Sequence, residues 1–497
     1  MHKNIFSVYF DQIYLLAAGL FFVPFFIKYL GVACYGLFGL FAVAQGIFQL
    51  LDAGLAPTLT RQATRYVAGV SNAKTFRHEF FLGEVVFVSV SSIGLLVLLT
   101  WTLLSNRPWV SSQDINLNVV KLSLVFIFLT VAIRFICSLY KGVLRGFESH
   151  IVIGWIGIAS TTCRFILAIP LIIYSSGSPI PFFALQALIS LLELSICRWL
   201  VRLNMPAVKI DLSQIPEVFR GLWRFSGAIS ILSLAWIFLT VIDRLILSRT
   251  ITLEEYGIYT LGITIAGVTN GLTSPIGTVM GPRLATLVGE GKLTDALCLY
   301  KKYTYLITLL AGAICSSLFF FAAEIVWVWV GDRAVGEAAK QVVMFYGIGY
   351  FFVAVSTCAY QLQFARGRLR LNVVGAIIQS ALLPVVIYLG VSSYGLAGAA
   401  KAWCAIQIVY FVFWIPVIHR DVSPDFHFKW IFKDFAPRIL IPFLWCGFTF
   451  ALTPHTNNRW LELAFIIINV SSLFVPLLVL MPQVRSYLRL YFIGTRV

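Results

Sequence analysis

Residues 119–140 read VVKLSLVFIFLTVAIRFICSLY and run on into KGVLRG at 141–146. A helix crossing the hydrocarbon core of a bilayer needs roughly 20 apolar residues, and this stretch supplies them. Its polar residues are not scattered. Thr130, Arg134, Cys137, Ser138 and Lys141 are spaced i, i+4, i+7, i+8 and i+11, which puts them on one face of a helix. A charge within the membrane costs roughly 2.5–3.5 kcal/mol on insertion scales unless it meets water or a partner. The stretch therefore predicts a membrane helix that keeps one face for a hydrated space, with Arg134 in the middle of that face.

The rest of the chain has the same character. Of its 497 residues 60% are hydrophobic and 12% charged, with a mean hydropathy of +0.90. Soluble domains are about half apolar and a quarter charged, so a soluble enzyme, a disordered chain and a disulfide scaffold are excluded. Apolar runs between clusters of charged and turn residues predict about fourteen transmembrane helices, at 6–30, 34–58, 81–104, 119–140, 151–174, 180–203, 223–247, 256–279, 303–330, 339–361, 371–391, 394–418, 435–453 and 460–481. The expected fold class is an all-α polytopic membrane protein. The first run has no small-residue cleavage site and is expected to be a retained helix. Pro24, Pro170, Pro275, Pro384 and Pro416 are expected to interrupt their helices.

Orientation follows from Lys and Arg in the short loops. With the amino terminus inside, 22 of them fall in the predicted cytoplasmic loops and five outside, at Lys28, Arg107, Arg249, Arg333 and Arg459. Most of the formal charge of +16 is thus topogenic, and no nucleic-acid partner is implied. The nine cysteines lie singly, without zinc or redox spacing, and the six histidines fall outside the predicted spans, which argues against a buried histidine metal site or proton relay.

A shift of 221 residues places Tyr35-Gly36 on Tyr256-Gly257, Lys28 on Arg249, Cys137 on Cys358 and Arg145-Gly146 on Arg366-Gly367. Each match falls at the same topological place. The chain is therefore expected to hold two six-helix repeats forming two lobes, residues 1–203 and 223–418. A cytoplasmic linker at 204–222 would join them, and 419–497 would carry two further helices and a cytoplasmic tail.

No nucleotide-binding glycine loop, metal-ligand cluster or nucleophile constellation occurs, so neither catalysis, nor a metal, nor a cofactor is expected. Charges inside spans carry the functional reading instead. Arg164 continues a stripe of Gly157, Ser160 and Thr161; Arg244 ends one of Ser226, Ser230, Ser233 and Thr240; Lys401 lies among Ala397, Gly398, Cys404 and Ala405. With Arg134 these form the candidate cationic lumen, suited to an anionic, hydroxyl-rich solute. Against them stand structural ion pairs, for which Asp243 beside Arg244 and Glu193 are available, and snorkelling of Lys401. Asp52, which shares a helix face with Gln45 and Gln49, heads the candidate ion-coupling carboxylates, followed by Glu193, Asp243 and Asp11. Tyr346, Tyr350, Tyr360 and Trp403 are candidates for stacking on sugars or for interfacial anchoring.

Four segments carry a family resemblance: YLGVACYGLFGL from residue 29, LDAGLAPTLTRQATRYVAG from 51, VIDRLILSRTITLEEYGIYTLG from 241 and SPIGTVMGPRLATLVGEG from 274. In these the chain resembles the polysaccharide flippases of the multidrug/oligosaccharidyl-lipid/polysaccharide (MOP) exporter superfamily, most closely the O-antigen (Wzx-type) group. The resemblance implies fourteen helices in two lobes around a cationic cavity. It implies transfer of a polyprenyl-pyrophosphate-linked oligosaccharide from the cytoplasmic to the periplasmic leaflet of a bacterial inner membrane by alternating access. Membrane lipid and, in polysaccharide assembly, a polymerase and a chain-length regulator are the implied partners. A cation-coupled multidrug antiporter of the same superfamily is the alternative, disfavoured by the buried cations. A membrane glycosyltransferase or polymerase would need a long outer loop bearing catalytic acids, and no predicted outer loop is long enough.

Overall fold

The computed structural model describes residues 2–52, 55–104, 115–175, 177–206, 208, 238–422, 426–454 and 456–473. Among these residues every regular element is helical. The helices are α1 His2–Asp52, α2 Leu55–Val67, α3 Ala73–Leu104, α4 Leu117–Gly146, α5 His150–Ile166, α6 Ala168–Tyr174, α7 Ile180–Asn204, α8 at 238–250, α9 Leu253–Ala266, α10 Val268–Gly289, α11 Leu293–Phe320, α12 Ala322–Val330, α13 Arg333–Ala365, α14 Arg370–Val409, α15 Ile415–Arg420, α16 Phe426–Trp430, α17 Ala436–Leu452 and α18 Arg459–Ser472. Eight described helical stretches are long and apolar enough to cross a membrane. Their outward faces are apolar, as at Ile93, Leu96 and Val97 on α3 and Leu188, Leu192 and Trp199 on α7, as a lipid solvent requires.

Several elements differ from the expected spans. The first two spans are two helical stretches of α1 that meet without a loop at a kink at Gly31, whose φ of 81° and ψ of 165° are open to glycine. The two spans expected over 371–418 are likewise two helical stretches of α14 that meet at a kink at Tyr394 and Gly395, the second reaching α15 by a π-helical turn at Tyr410–Trp414. The helices pass through Pro24, Pro275 and Pro384, whereas Pro170 follows the break at Leu167 and Pro416 the π-helical turn. Residues 55–67, expected as the end of a span and a loop, form the amphipathic α2, which buries Leu55, Ala56, Leu59 and Ala63. Of the predicted spans at 223–247 and 460–481, residues 223–237 and 474–481 lie outside the described residues.

Helix ends follow local chemistry. Asn116 caps α4 by accepting from the Asn118 amide at 2.9 Å, and Asp332 caps α13 by accepting from Ala334 at 2.8 Å. Thr252 and Glu255 form a capping box at α9, with Glu255 Oε2 accepting from the Thr252 amide at 3.0 Å.

The chain divides into two compact units, residues 1–260 and 261–497. In the first, α4 is central and packs against α7, α3, α2 and α1. Phe26 and Phe38 of α1 stack around Phe182 of α7, at 4.8 and 5.1 Å between ring centroids. The twin Tyr-Gly dipeptides of the repeat meet here. A Cβ on Gly36 would lie 2.5 Å from the Leu253 carbonyl oxygen, and one on Gly257 2.2 Å from that of Val32. In the second unit α13 packs against α10, α11, α12 and α14, and α17 lies on α11. Its core joins Tyr300, Phe351, Phe411, Trp430 and Phe435.

Candidate functional site

The first unit contains a cavity of about 470 Å³. Gln45, Gln49 and Asp52 of α1 face it, with Thr60 of α2 and Arg134, Ser138 and Arg145 of α4; Phe48, Val131 and Phe135 supply apolar wall. The two polar stripes read from the sequence, one on each of α1 and α4, thus line one space. Gly146 lets α2 close against α4 and brings Thr60 to the wall: a Cβ there would lie 2.6 Å from the Thr60 carbonyl oxygen.

Arg134 lies on the wall with its guanidinium 5.2 Å from the centre of the Phe41 ring. Arg145, which sequence reasoning counted only as a loop cation, belongs to the same wall. A signal for it existed, because it continues the Arg134 stripe at i+11. Asp52 has a second role: its Oδ1 accepts from the Ala56 amide at 3.0 Å, capping the first turn of α2.

Arg164 is placed differently. It is buried against α7, where it donates to Glu193 Oε2 and, at 3.2 Å, to Ser190 Oγ, and it does not line the cavity. Lys141 holds the other oxygen of the same carboxylate, Glu193 Oε1. Glu193 is therefore a bridge between two cations. Among the described residues, the cavity wall and the Glu193 pairs beside it bring together four cations, Arg134, Lys141, Arg145 and Arg164, and two carboxylates, Asp52 and Glu193, a net positive balance.

The other candidates are not among the residues that line this cavity. Asp243 of α8 is buried and accepts from the Tyr259 hydroxyl of α9 at 2.9 Å, and Arg244 beside it is half-buried. In the second unit the Lys401 ammonium lies 5.1 Å from the Tyr394 ring and 5.6 Å from that of Phe345. Tyr346 and Trp403 are buried and stacked on each other at 4.4 Å, Tyr350 lies 5.0 Å from Trp403, and Tyr360 lies 6.2 Å from Phe364. Asp11 is in α1, and its side chain is outside the described residues.

The repeat partner of Arg145 is used for another purpose. Arg366 donates to Asp421 Oδ2 at 2.9 Å, and Arg368 reaches Oδ1 of the same residue at 3.2 Å. Nearby, His419 is fully buried. Its Nε2 is 2.7 Å from the Tyr300 hydroxyl and its Nδ1 3.0 Å from His427 Nδ1. The run of α15 to Arg420 carries His419 inside, past the predicted end of the span.

Over residues 1–288 the chain matches the family described as polysaccharide biosynthesis protein. No curated protein matches it. Among solved structures it is similar to the lipid II flippase MurJ in an inward closed conformation, with a TM-score of 0.72 at 15% identity, covering 99% of this chain and 100% of that one. It is also similar to an inward-facing multidrug-resistance MATE family transporter of the MOP superfamily, with a TM-score of 0.61 at 13% identity over 84% of this chain and 94% of that one. A eukaryotic MATE transporter gives a TM-score of 0.56 at 11% identity, covering 90% and 98%. At such identities the likeness is one of fold.

Proposed function

The chain belongs to the polysaccharide biosynthesis protein family and is a multi-pass membrane protein of MOP-type fold, and from this we propose that it is a flippase for a polyprenyl-diphosphate-linked oligosaccharide. The observation that carries the reading is the wall of the cavity. Arg134 and Arg145 offer planar forks that match phosphate oxygens in pairs. Gln45, Gln49, Thr60 and Ser138 offer amides and hydroxyls to sugar hydroxyls. The lipid chain of such a substrate stays in the bilayer, so the protein has only to shelter its charged and hydroxylated part.

Transfer runs, in this reading, from the cytoplasmic to the periplasmic leaflet of a bacterial inner membrane by alternating access, with both termini cytoplasmic. Residues 1–203 and 223–418 are the two repeats, and 419–497 provide the additional helices. The repeat unit is an O-antigen or a related polysaccharide unit, and a polymerase and chain-length regulator act after it. The protein is a transporter and not an enzyme. Energy comes from an ion gradient through Asp52, or from removal of substrate outside.

The MATE neighbours favour a second reading, a cation-coupled drug antiporter. The net positive charge around the cavity speaks against it, because an organic cation entering there meets Arg134 and Arg145. Leaflet transfer in proteoliposomes separates the readings. A flippase moves a lipid diphosphate and loses that activity with Arg134→Ala; an antiporter moves organic cations instead.

A further inference from the structure

We propose that Glu193 is an internal counter-ion that competes with the substrate's diphosphate for Lys141, and so sets how readily the substrate leaves the cavity. The proposal rests on the cavity of the first unit being the diphosphate site.

One carboxylate holds two cations, but the two are not equivalent. Arg164 is deep: its side chain is 9% exposed, it pairs with Glu193 Oε2, and it is held further by Ser190 Oγ at 3.2 Å. Lys141, on Oε1, has a side chain 28% exposed, while that of Glu193 is 5% exposed. An exposed ammonium on a flexible four-carbon stem moves between partners more freely than a buried guanidinium held on both Glu193 and Ser190. The Arg164–Glu193 pair is the stationary part and Lys141 the mobile one.

Position makes this mobility useful. Along α4, Lys141 lies about one turn from Ser138 and one turn from Arg145, both on the cavity wall. A lysine stem spans that interval. A diphosphate engaged by Arg134 and Arg145 carries more charge than one carboxylate, so it draws Lys141 away. Glu193 then stays neutralised by Arg164, and no buried charge is abandoned. When the diphosphate departs, Glu193 recovers Lys141.

A transporter needs a site that binds well enough to load and weakly enough to release. With Asp52 as the one carboxylate among the described residues of the wall and no Glu193 beside it, the clustered cations would hold a diphosphate too firmly. Glu193 supplies the counterweight through Lys141, the more exposed of the two cations it holds.

The test uses the full-length protein in detergent, titrated with farnesyl diphosphate, and the same variants in proteoliposomes carrying a labelled polyprenyl diphosphate. Glu193→Gln retains a carbonyl oxygen for Arg164 but loses the charge that retains Lys141. It is expected to tighten farnesyl diphosphate binding by about tenfold, and to lower both KM and kcat of transfer. Lys141→Met is expected to weaken binding several-fold, and in its background Glu193→Gln is expected to bring no gain. Binding unchanged or weakened by Glu193→Gln in a folded protein overturns the proposal and leaves a structural ion pair. If Glu193→Gln does not fold, Lys141→Met decides, since wild-type affinity there overturns the proposal equally. Arg134→Ala separates this from the underlying reading. Loss of binding in Arg134→Ala, with Lys141→Met and Glu193→Gln both at wild-type affinity, removes the role of Glu193 alone. Wild-type binding in Arg134→Ala removes the cavity as the diphosphate site and the proposal with it.

Discussion

Gly36 and Gly257 occupy the same place in the two repeats, 221 residues apart, and each presses on the backbone of the other's helix. The Gly36 Cβ position is 2.5 Å from the Leu253 oxygen and the Gly257 Cβ position 2.2 Å from the Val32 oxygen. Val32 and Leu253 are themselves separated by 221 residues, so the contact is reciprocal.

A methyl group at either glycine meets first a backbone carbonyl oxygen, which cannot turn aside as the nearby Leu253 or Val32 side chain could. Gly36→Ala and Gly257→Ala are each expected to destabilise the protein by about 1–3 kcal/mol by forcing α1 and α9 apart. Gly19→Ala, with open space at its Cβ, is the control and is expected to be neutral. Thermal melting in detergent reads the difference. Equal melting temperatures for all three variants would contradict the close crossing.

Asp52 has two roles that two substitutions separate. Asp52→Asn keeps an oxygen for the Ala56 amide and removes only the charge, whereas Asp52→Ala removes the cap as well, at about 1 kcal/mol. If Asp52 couples transport to an ion, Asp52→Asn is expected to abolish gradient-driven transfer while leaving downhill exchange and melting temperature intact. Transfer that is equally fast without a gradient and unchanged by Asp52→Asn would leave facilitated flipping as the account.

The His419–His427 contact predicts a pH response in stability. Two imidazole Nδ1 atoms 3.0 Å apart need one donor and one acceptor, so one of them must be without a proton. Burial holds His427 below the usual histidine range. A base whose folded-state pKa is depressed contributes stability above its unfolded pKa of about 6.5 and loses it as pH falls. The melting temperature is expected to drop between pH 7.5 and 5 in the native protein and to drop less in His427→Gln. Parallel curves would exclude this pair as the cause.

Topology is tested by single cysteines in a cysteine-free background. Positions 72 and 367 are expected to resist an impermeant thiol reagent from the periplasm, and the exposed position 337 to react. Labelling of position 72 from outside would invert the orientation.

What was legible in the sequence was whatever a single helix declares by itself. The faces Gln45-Gln49-Asp52 and Arg134-Ser138 show in their spacing, and both line the cavity. Lengths of apolar runs gave the helices, although Gly31 and Tyr394-Gly395 break them too briefly for the expected loops. The amphipathic α2 was hidden because its mean hydropathy is below that of a span, yet Leu55, Ala56, Leu59 and Ala63 already carried helical spacing. Pairings between helices were less accessible. Sequence reading offered Glu193 either as an ion site or as a partner for a buried arginine. That it holds Lys141 and Arg164 together depends on how α7 rotates against α4, which no local pattern encodes. The burial of His419 is of the same kind, being set by Tyr300 on a distant helix.

The account stands most directly on Arg134. Purified protein in proteoliposomes, supplied with a polyprenyl-diphosphate-linked oligosaccharide in one leaflet, is expected to transfer it to the other. Arg134→Ala should reduce the rate by about tenfold or more and Arg134→Lys by less, because the lysine keeps charge but not the planar fork. Transfer by Arg134→Ala at the wild-type rate, with wild-type amounts of folded protein, would contradict the cavity as the path of the diphosphate.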